Sequence, residues 1–67
     1  MVSNIFAIKK YREKAELSQI DVAESLGVTQ GAVSQWENGE SNPSSDKLPE
    51  LAKILGCTID ELYGAEN

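Results

Sequence analysis

Amide and hydroxyl side chains are concentrated near the middle of the chain, at a spacing that would let them recognise a partner. Gln30, Ser34 and Gln35 fall on one face of a predicted helix, opposite Val33 and Trp36. A glutamine amide presents a donor and an acceptor together, which matches the N6 and N7 positions of an adenine edge. These residues therefore favour hydrogen-bonded recognition over bond-breaking chemistry.

Groups that could catalyse a reaction are scarce. The sequence contains no histidine, so the side chain that most often acts as a general base or a metal ligand is missing. Cys57 is the single cysteine and lies outside any metal-ligand spacing, so we expect it to pack in the core. Asp60 and Glu61 suit the start of a helix. We therefore expect no catalytic residue, no metal, no cofactor, no small-molecule ligand and no enzymatic activity.

Two short helices joined by a tight turn must position the recognition face. Ser18 starts a capping-box pattern, which predicts a helix over 18–26. Gly27 suits the end of that helix, because glycine accepts the left-handed conformation found there. Thr29 can cap a second helix over 29–37. The apolar residues expected to form the shared core of this pair are Val22, Ala23, Leu26, Val28, Val33 and Trp36.

A helix pair joined by a short turn containing glycine is the helix-turn-helix unit, whose second helix enters the DNA major groove. At these residues the sequence resembles the phage repressor/Cro-type, or XRE-like, helix-turn-helix family. The resemblance covers about residues 8–63 and implies an all-α, compact five-helix fold. Beyond the helix pair, it is carried by the stretches 36–39, 42–44, 51–56 and 59–62.

Helix 1 is predicted over 4–15, with Ile5, Ile8, Arg12 and Ala15 on one face. The family resemblance implies that the arginine on this apolar face pairs with a glutamate at the end of the recognition helix, here Glu37. The alternative is two unrelated surface charges.

The residue after helix 1 departs from the family pattern, which often has glycine there. This chain has Glu16, which carries strain if the backbone at this position is left-handed.

Helix 4 is predicted over 45–55 and helix 5 over 59–63, within a single domain of residues 1–67. Pro49 lies about one turn into helix 4. Because proline removes a backbone hydrogen bond, we expect this helix to begin with a kink or to begin late. The buried face of helix 4 is predicted to consist of Leu48, Leu51, Ala52 and Leu55.

The family resemblance implies roles for Gln19 and Gln30, and the outward-facing positions on helix 3 add the other predicted base-reading residues. Gln30, Gly31, Ser34 and Gln35 would read bases, and Gln19 would bind a phosphate and brace Gln30 through an amide–amide hydrogen bond. The alternatives are an ordinary exposed helix residue for Gln19 and random drift for Gly31. The residues expected to contact phosphates, some of them in the loop after helix 3, are Lys9, Gln19, Thr29, Asn38, Ser41 and Asn42.

The charge balance is unusual for a DNA-binding protein. Six basic and eleven acidic residues give a net charge of −5, whereas such proteins are expected to lean basic. Lys9, Lys10, Arg12 and Lys14 cluster in helix 1, although a charge run is often only a solvated surface. Many relatives carry a basic residue in the loop where this chain has Glu40. Apolar runs are too short for a membrane span and no signal-peptide pattern is present, so we expect a cytoplasmic protein.

The sequence therefore predicts a transcriptional regulator, most simply a repressor, that binds a double-stranded DNA operator of two-fold symmetry. It would act as a homodimer joined through Ile59, Leu62 and Tyr63, and this contact would be weak or would form only on DNA. The alternative is a protein-interaction module on the same fold, such as an antitoxin or an anti-repressor, which the acidic balance favours. The polar face of helix 3 favours DNA, because protein-binding surfaces are more aromatic and apolar.

Overall fold

The computed structural model describes residues 6–63, which form five helices and no strand. They are α1 (Ile8–Lys14), α2 (Gln19–Leu26), α3 (Gln30–Asn38), α4 (Leu48–Leu55) and α5 (Ile59–Tyr63). Helix α2 packs against both α3 and α4, while α1 packs against α3 and α4, and α5 packs against α4. The all-α, five-helix prediction is confirmed.

One hydrophobic core joins all five helices. Each helix contributes at least one side chain that is buried, and the partly buried residues that pack around the core include Leu17, Val28 and Cys57. The largest fully buried side chains are Ile8, Val22, Val33, Leu51 and Leu62.

Helix α1 begins later than predicted. The prediction of a start at residue 4 is wrong, because Phe6 and Ala7 precede the helix. The backbone N–H of Ala7 donates to the carbonyl of Leu62 at 2.8 Å, so this segment is tied to α5 instead of continuing α1 toward the N-terminus. Ala15, predicted to share the apolar face of this helix, caps the end of α1 and is exposed. The prediction for Ile5 lies outside the described residues.

Helix α4 also begins later than residue 45. Residues 45–47 form a turn, and regular helix starts at Leu48 with Pro49 in the first turn. A proline is tolerated there because a first-turn N–H has no partner within the helix. The late start expected from this proline is therefore confirmed. Glu16 has a φ of 61°, which is the strained left-handed conformation considered from the sequence.

Candidate nucleic-acid interface

Capping interactions define where α2 begins and ends and where α3 begins. Ser18 accepts a hydrogen bond from the backbone N–H of Asp21, whose carboxylate accepts one from the backbone N–H of Ser18. Gly27 ends α2 with a φ of 72°. Thr29 then starts α3 by accepting from the backbone N–H of Ala32 at 3.1 Å. The chain thus turns between the two helices in only three residues, as a helix-turn-helix unit requires.

Helix α3 has one buried face and one exposed face. Val33 and Trp36 are buried against the core. Gln30 and Gln35 are exposed on the opposite side, and Ser34 is half-buried. The structure therefore leaves the amide groups named from the sequence accessible to a partner.

Gly31 lies in the first turn of the same exposed face. A Cβ atom at this position would meet only the Thr29 hydroxyl, at an ordinary contact distance of 3.8 Å. Glycine costs about 1 kcal/mol of helix propensity relative to alanine. Packing within the protein therefore does not require a glycine at this position.

The predicted pairing of Arg12 with Glu37 is present in the structure. Arg12 Nε donates to Glu37 Oε2 at 2.6 Å, and Nη2 donates to Oε1 at 3.2 Å. The side chains are only 12% and 3% exposed, respectively. Arg12 Nη1 also donates to the carbonyl of Leu17 at 2.8 Å. The hydrogen bond to Glu37 raises the pKa of the guanidinium above its ordinary value. These contacts fix α1 to the end of α3 and to the segment entering α2.

Hydrogen bonds through two glutamine side chains connect this ion pair to the exposed face of α3. Gln19 Nε2 donates to Glu37 Oε1 at 2.9 Å. Gln30 Nε2 then donates to Gln19 Oε1 at 3.1 Å. The amide–amide bond between Gln19 and Gln30 was expected from the sequence, whereas the link from Gln19 to Glu37 was not. No spacing signal could reveal that link, because it depends on how α2 packs against α3.

The side chains expected to contact phosphates differ in their exposure and in whether their polar atoms already form hydrogen bonds. Lys9, Asn38 and Asn42 are exposed, and Ser41 is half-buried. Thr29 is exposed, but its hydroxyl already accepts the capping hydrogen bond.

Gln19 is half-buried, and both ends of its amide contact other side chains. Its second Nε2 proton remains as a donor, since an amide nitrogen carries two.

The loop after α3 turns three of its backbone N–H groups inward. The N–H groups of Glu40 and Ser41 both point to the carbonyl of Gln35, at 2.9 and 3.4 Å, and the N–H of Gly39 donates to the carbonyl of Trp36. These groups end α3 and are not available to a phosphate.

Three contacts of lysine residues were not foreseen from the sequence. Lys47 Nζ donates to the carbonyl of Leu26 at 3.1 Å, at the C-terminal end of α2. Lys10 and Lys14 flank the ring of Tyr11, with Nζ 5.5 and 5.9 Å from its centroid. The spacing of Lys10, Tyr11 and Lys14 on one helix could have signalled the two contacts with the ring, whereas Lys47 and Leu26 lie far apart in the chain.

One of the three α5 residues predicted to form a dimer surface is not exposed. Leu62 is fully buried, so its assignment to a dimer surface is wrong: α5 directs this side chain into the core. Ile59 is 37% exposed and Tyr63 is 50% exposed. The Tyr63 ring also packs against Phe6, with 4.8 Å between ring centroids. Of the three residues predicted to form the dimer surface, Ile59 and Tyr63 are accessible to a partner.

Within residues 6–63, no three histidine, cysteine or acidic side chains lie close enough to hold a metal ion. Cys57 is half-buried, and burial raises the pKa of its thiol. None of the helices described there combines the length and apolar character needed to cross a membrane.

The helix pair, its exposed α3 face and its capped turn define a helix-turn-helix protein. A helix-turn-helix family model matches residues 8–62, so the chain belongs to this family. The resemblance to phage repressor/Cro-type proteins is thereby confirmed. The family consists of DNA-binding transcriptional regulators and is not enzymatic.

Two phage repressors are among the similar proteins. The 26 kDa repressor protein of Escherichia phage HK022 is 50% identical over 46 residues, which are 69% of this chain and 20% of that protein. Repressor protein C2 of Salmonella phage P22 is 36% identical over 55 residues, which are 82% of this chain and 26% of that protein. The chain thus spans less than a third of the length of either repressor.

An activator and a solved structure extend the comparison. The transcriptional activator BcrR of Enterococcus faecalis is 36% identical over 59 residues, which are 88% of this chain and 29% of that protein. The crystal structure of the P22 c2 repressor with a synthetic operator superposes with a TM-score of 0.78 at 36% identity. That match covers 85% of this chain and 88% of the repressor chain.

Proposed function

We propose that this protein binds double-stranded DNA at specific sequences and regulates transcription, acting as a repressor. The observation that carries the proposal is the exposed amide face of α3, with Gln30 held in place by Gln19. The N-terminal part of a recognition helix is the part that meets base edges in the major groove. Gln30 is the first residue of α3, so its amide lies where a base edge would be read.

The remaining residues of this face complete the base-reading surface. Gln35 lies about one turn beyond Gly31 and is exposed, so it would read or position a neighbouring base pair. Ser34 carries a hydroxyl, which can donate to or accept from either kind of base pair. Gly31 allows a base edge or a thymine methyl group to approach the backbone closely.

Phosphate contacts would fix the orientation of α3 in the groove. Donors of this kind set the position of a protein on the duplex without reading its sequence. The exposed side chains of Lys9, Asn38 and Asn42 are the strongest candidates, with Gln19 contributing its second amide proton. Ser41 and Thr29 would contribute less, because one is half-buried and the other caps α3.

We further infer that two copies bind together on an operator of two-fold symmetry. Each recognition helix would enter one of two half-sites about one helical turn apart. Ile59 and Tyr63 form the accessible apolar surface of α5, and they are the residues through which the copies would touch. So small a surface favours a dimer that is weak without DNA. The protein would work in the cytoplasm, where bacterial and phage operators are accessible.

The role of repressor draws its support from the two phage repressors among the similar proteins. Since the activator BcrR is also similar, the fold alone does not distinguish repression from activation. Placing a selected site across a reporter promoter tests this directly. Lower transcription in the presence of the protein is the expected result, and higher transcription would identify an activator.

In vitro selection from random duplex DNA tests DNA binding itself. The expected result is an enriched sequence with two inverted half-sites, to which the protein binds at about 0.1 M salt. Sedimentation of the complex should show two copies of the protein on each DNA duplex. A Lys53→Ala variant provides a control, because this exposed lysine of α4 has no assigned contact with DNA. Failure to enrich any sequence would reject the proposal and favour an antitoxin or anti-repressor.

A further inference from the structure

Glu40 is an exposed carboxylate in the loop that follows the recognition helix. Among residues 6–63, the Glu40 side chain forms no hydrogen bond and no ion pair. The carboxylate of Glu37, three residues earlier, is by contrast paired with Arg12. The negative charge of Glu40 is thus left to the solvent in the free protein, at a place close to the face that would meet DNA.

The loop is attached at both ends, which keeps the backbone of Glu40 near α3. The Glu40 N–H donates to the carbonyl of Gln35 at 2.9 Å, and Gln35 is one of the exposed amides of α3. At the other end of the loop, Pro43 is buried. Because of these two attachments, the Glu40 backbone lies next to the last turn of α3 and cannot swing far from it.

The length of α3 would place this loop at the wall of the DNA groove. Nine residues at about 1.5 Å each make α3 about 14 Å long, whereas the major groove of B-DNA is about 12 Å wide. With Gln30 at the base edges, the opposite end of α3 would therefore reach the phosphates that border the groove. Asn38 and Asn42, the exposed side chains that would contact these phosphates, lie two residues before and two residues after Glu40.

A carboxylate at this position repels the phosphates. Two like charges about 7 Å apart in water weaken binding about threefold, and two copies on one operator would weaken it about tenfold. This loss applies to all sequences alike, because phosphate groups carry no sequence information. Non-specific binding depends almost entirely on phosphate contacts, so it has no base contacts that could offset the loss.

We propose that Glu40 is an affinity-limiting residue, which weakens the contact of each copy with the DNA backbone so that stable binding requires the base contacts of α3. This inference rests on the proposed function. A uniform loss of affinity empties weak sites before strong ones. The operator would therefore stay occupied at protein concentrations that leave unrelated DNA largely free.

The test removes the charge of Glu40 and keeps the shape of its side chain. Dissociation constants of the wild type, Glu40→Gln and Glu40→Lys are measured for the selected operator and for a duplex of unrelated sequence. The salt concentration is varied from about 0.05 M to about 0.5 M, over which the Debye length falls from about 14 Å to about 4 Å. Glu50→Gln provides the control, because it makes the same change at an exposed position of α4 that has no assigned contact with DNA.

Glu40→Gln should tighten binding to both duplexes by about the same factor for each bound copy, about threefold at the lowest salt. The gain should shrink toward none at the highest salt, because salt screens a repulsion between exposed charges. Glu50→Gln should leave both affinities unchanged.

Glu40→Lys should bind both duplexes more tightly than Glu40→Gln does. It should also steepen the slope of log affinity for the operator against log salt by about 2, since each of two copies then neutralises one more phosphate. Circular dichroism verifies that each variant folds as the wild type does. If the glutamine variant does not fold, the lysine variant provides the same test.

Each contrary outcome identifies which proposal fails. If the wild type binds the operator and Glu40→Gln binds no more tightly at the lowest salt, the inference fails and the proposed function stands. A loss of operator affinity in Glu40→Gln would also overturn the inference, because the carboxylate would then accept a hydrogen bond in the complex, as from the amino group of a cytosine. A gain that persists at the highest salt would exclude repulsion as its cause. If the wild type selects no DNA, the proposed function fails and the inference fails with it.

Discussion

Arg12 and Glu37 are 25 residues apart in the chain, yet they share two hydrogen bonds at the junction of α1 and α3. Both side chains are largely shielded from water. Removing one partner of such a pair leaves the other charge buried without compensation. The pair therefore links the stability of the fold to the position of the recognition helix.

Glu37→Gln is expected to destabilise the protein by about 3–5 kcal/mol, because Arg12 then remains buried without a counter-charge. Chemical denaturation followed by circular dichroism measures the change. Glu40→Gln makes the same chemical change at an exposed position and should have little effect. An unchanged denaturation midpoint for Glu37→Gln would mean that water compensates the charge.

Glu16→Gly is expected to stabilise the protein by about 0.5–1 kcal/mol. A left-handed conformation costs a residue with a Cβ about 1–2 kcal/mol, and the greater freedom of glycine in the unfolded chain offsets part of the gain. Glu13→Gly in α1 provides the matched control, where glycine should cost about 1 kcal/mol. Equal effects of the two substitutions on the melting temperature would argue against strain at Glu16.

The capping box of α2 is expected to weaken in acid. Hydrogen bonds from the Ser18 backbone and side chain lower the pKa of Asp21 below its ordinary value of 3.8. A depressed pKa means that the unfolded state binds the proton more readily, so the carboxylate contributes stability above the ordinary value. This contribution is lost as the pH falls through the lower value of the folded protein.

Comparing Asp21→Asn with the wild type by denaturation at a series of pH values measures that contribution. The stability difference between the two proteins should be constant near neutral pH and should shrink below pH 3.8. A difference that did not change between neutral and acidic conditions would show that the charge of Asp21 contributes nothing to the cap.

Gln30→Ala is expected to relax the preference at one base pair in each half-site, at a cost of about 1–3 kcal/mol in discrimination. Folding should be unaffected, because this side chain is exposed on α3. Repeating the in vitro selection with the variant measures the change. Lys9→Ala should instead weaken binding to all DNA sequences about equally. Retention of both affinity and consensus would mean that Gln30 does not read a base.

The salt dependence of DNA binding is expected to be shallow. Lys9, Lys10 and Lys14 are exposed on α1, whereas Arg12 is used by Glu37 and Lys47 by the carbonyl of Leu26. If each copy neutralises about two phosphates, a dimer should show a slope of roughly −3 to −4 in log affinity against log salt. Titration at several salt concentrations measures it, and a slope near −8 would show that Lys47 or Lys53 reaches the DNA.

Local signals were sufficient to predict most helix ends from the sequence. Ser18, Gly27 and Thr29 act through their own neighbours, so their types and spacing predicted the boundaries of α2 and α3 within about one residue. Pro49 likewise indicated the late start of α4. The pairing of Arg12 with Glu37 came from the family resemblance, since no local pattern joins residues on different helices.

Errors arose where a contact between distant segments decided the outcome. The hydrogen bond from Ala7 to Leu62 sets the start of α1, and no helix-start signal could indicate it. The burial of Leu62 depends on how α5 packs against α4. For the same reason the link from Gln19 to Glu37 appeared only in the structure. The base-reading and phosphate-binding roles of individual residues stay predictions.

At most positions of a small domain, one side chain must satisfy both the stability of the fold and the requirements of binding. At Gly31 these two requirements are separate. Because a Cβ at this position has room on the protein side, a change from glycine should not disturb the core, and under the proposed function it would alter only the surface that faces DNA. Alanine there would even favour the helix by about 1 kcal/mol. If Gly31 reads DNA as proposed, a lineage could therefore alter the sequence that it recognises by a single substitution, without passing through an unstable intermediate.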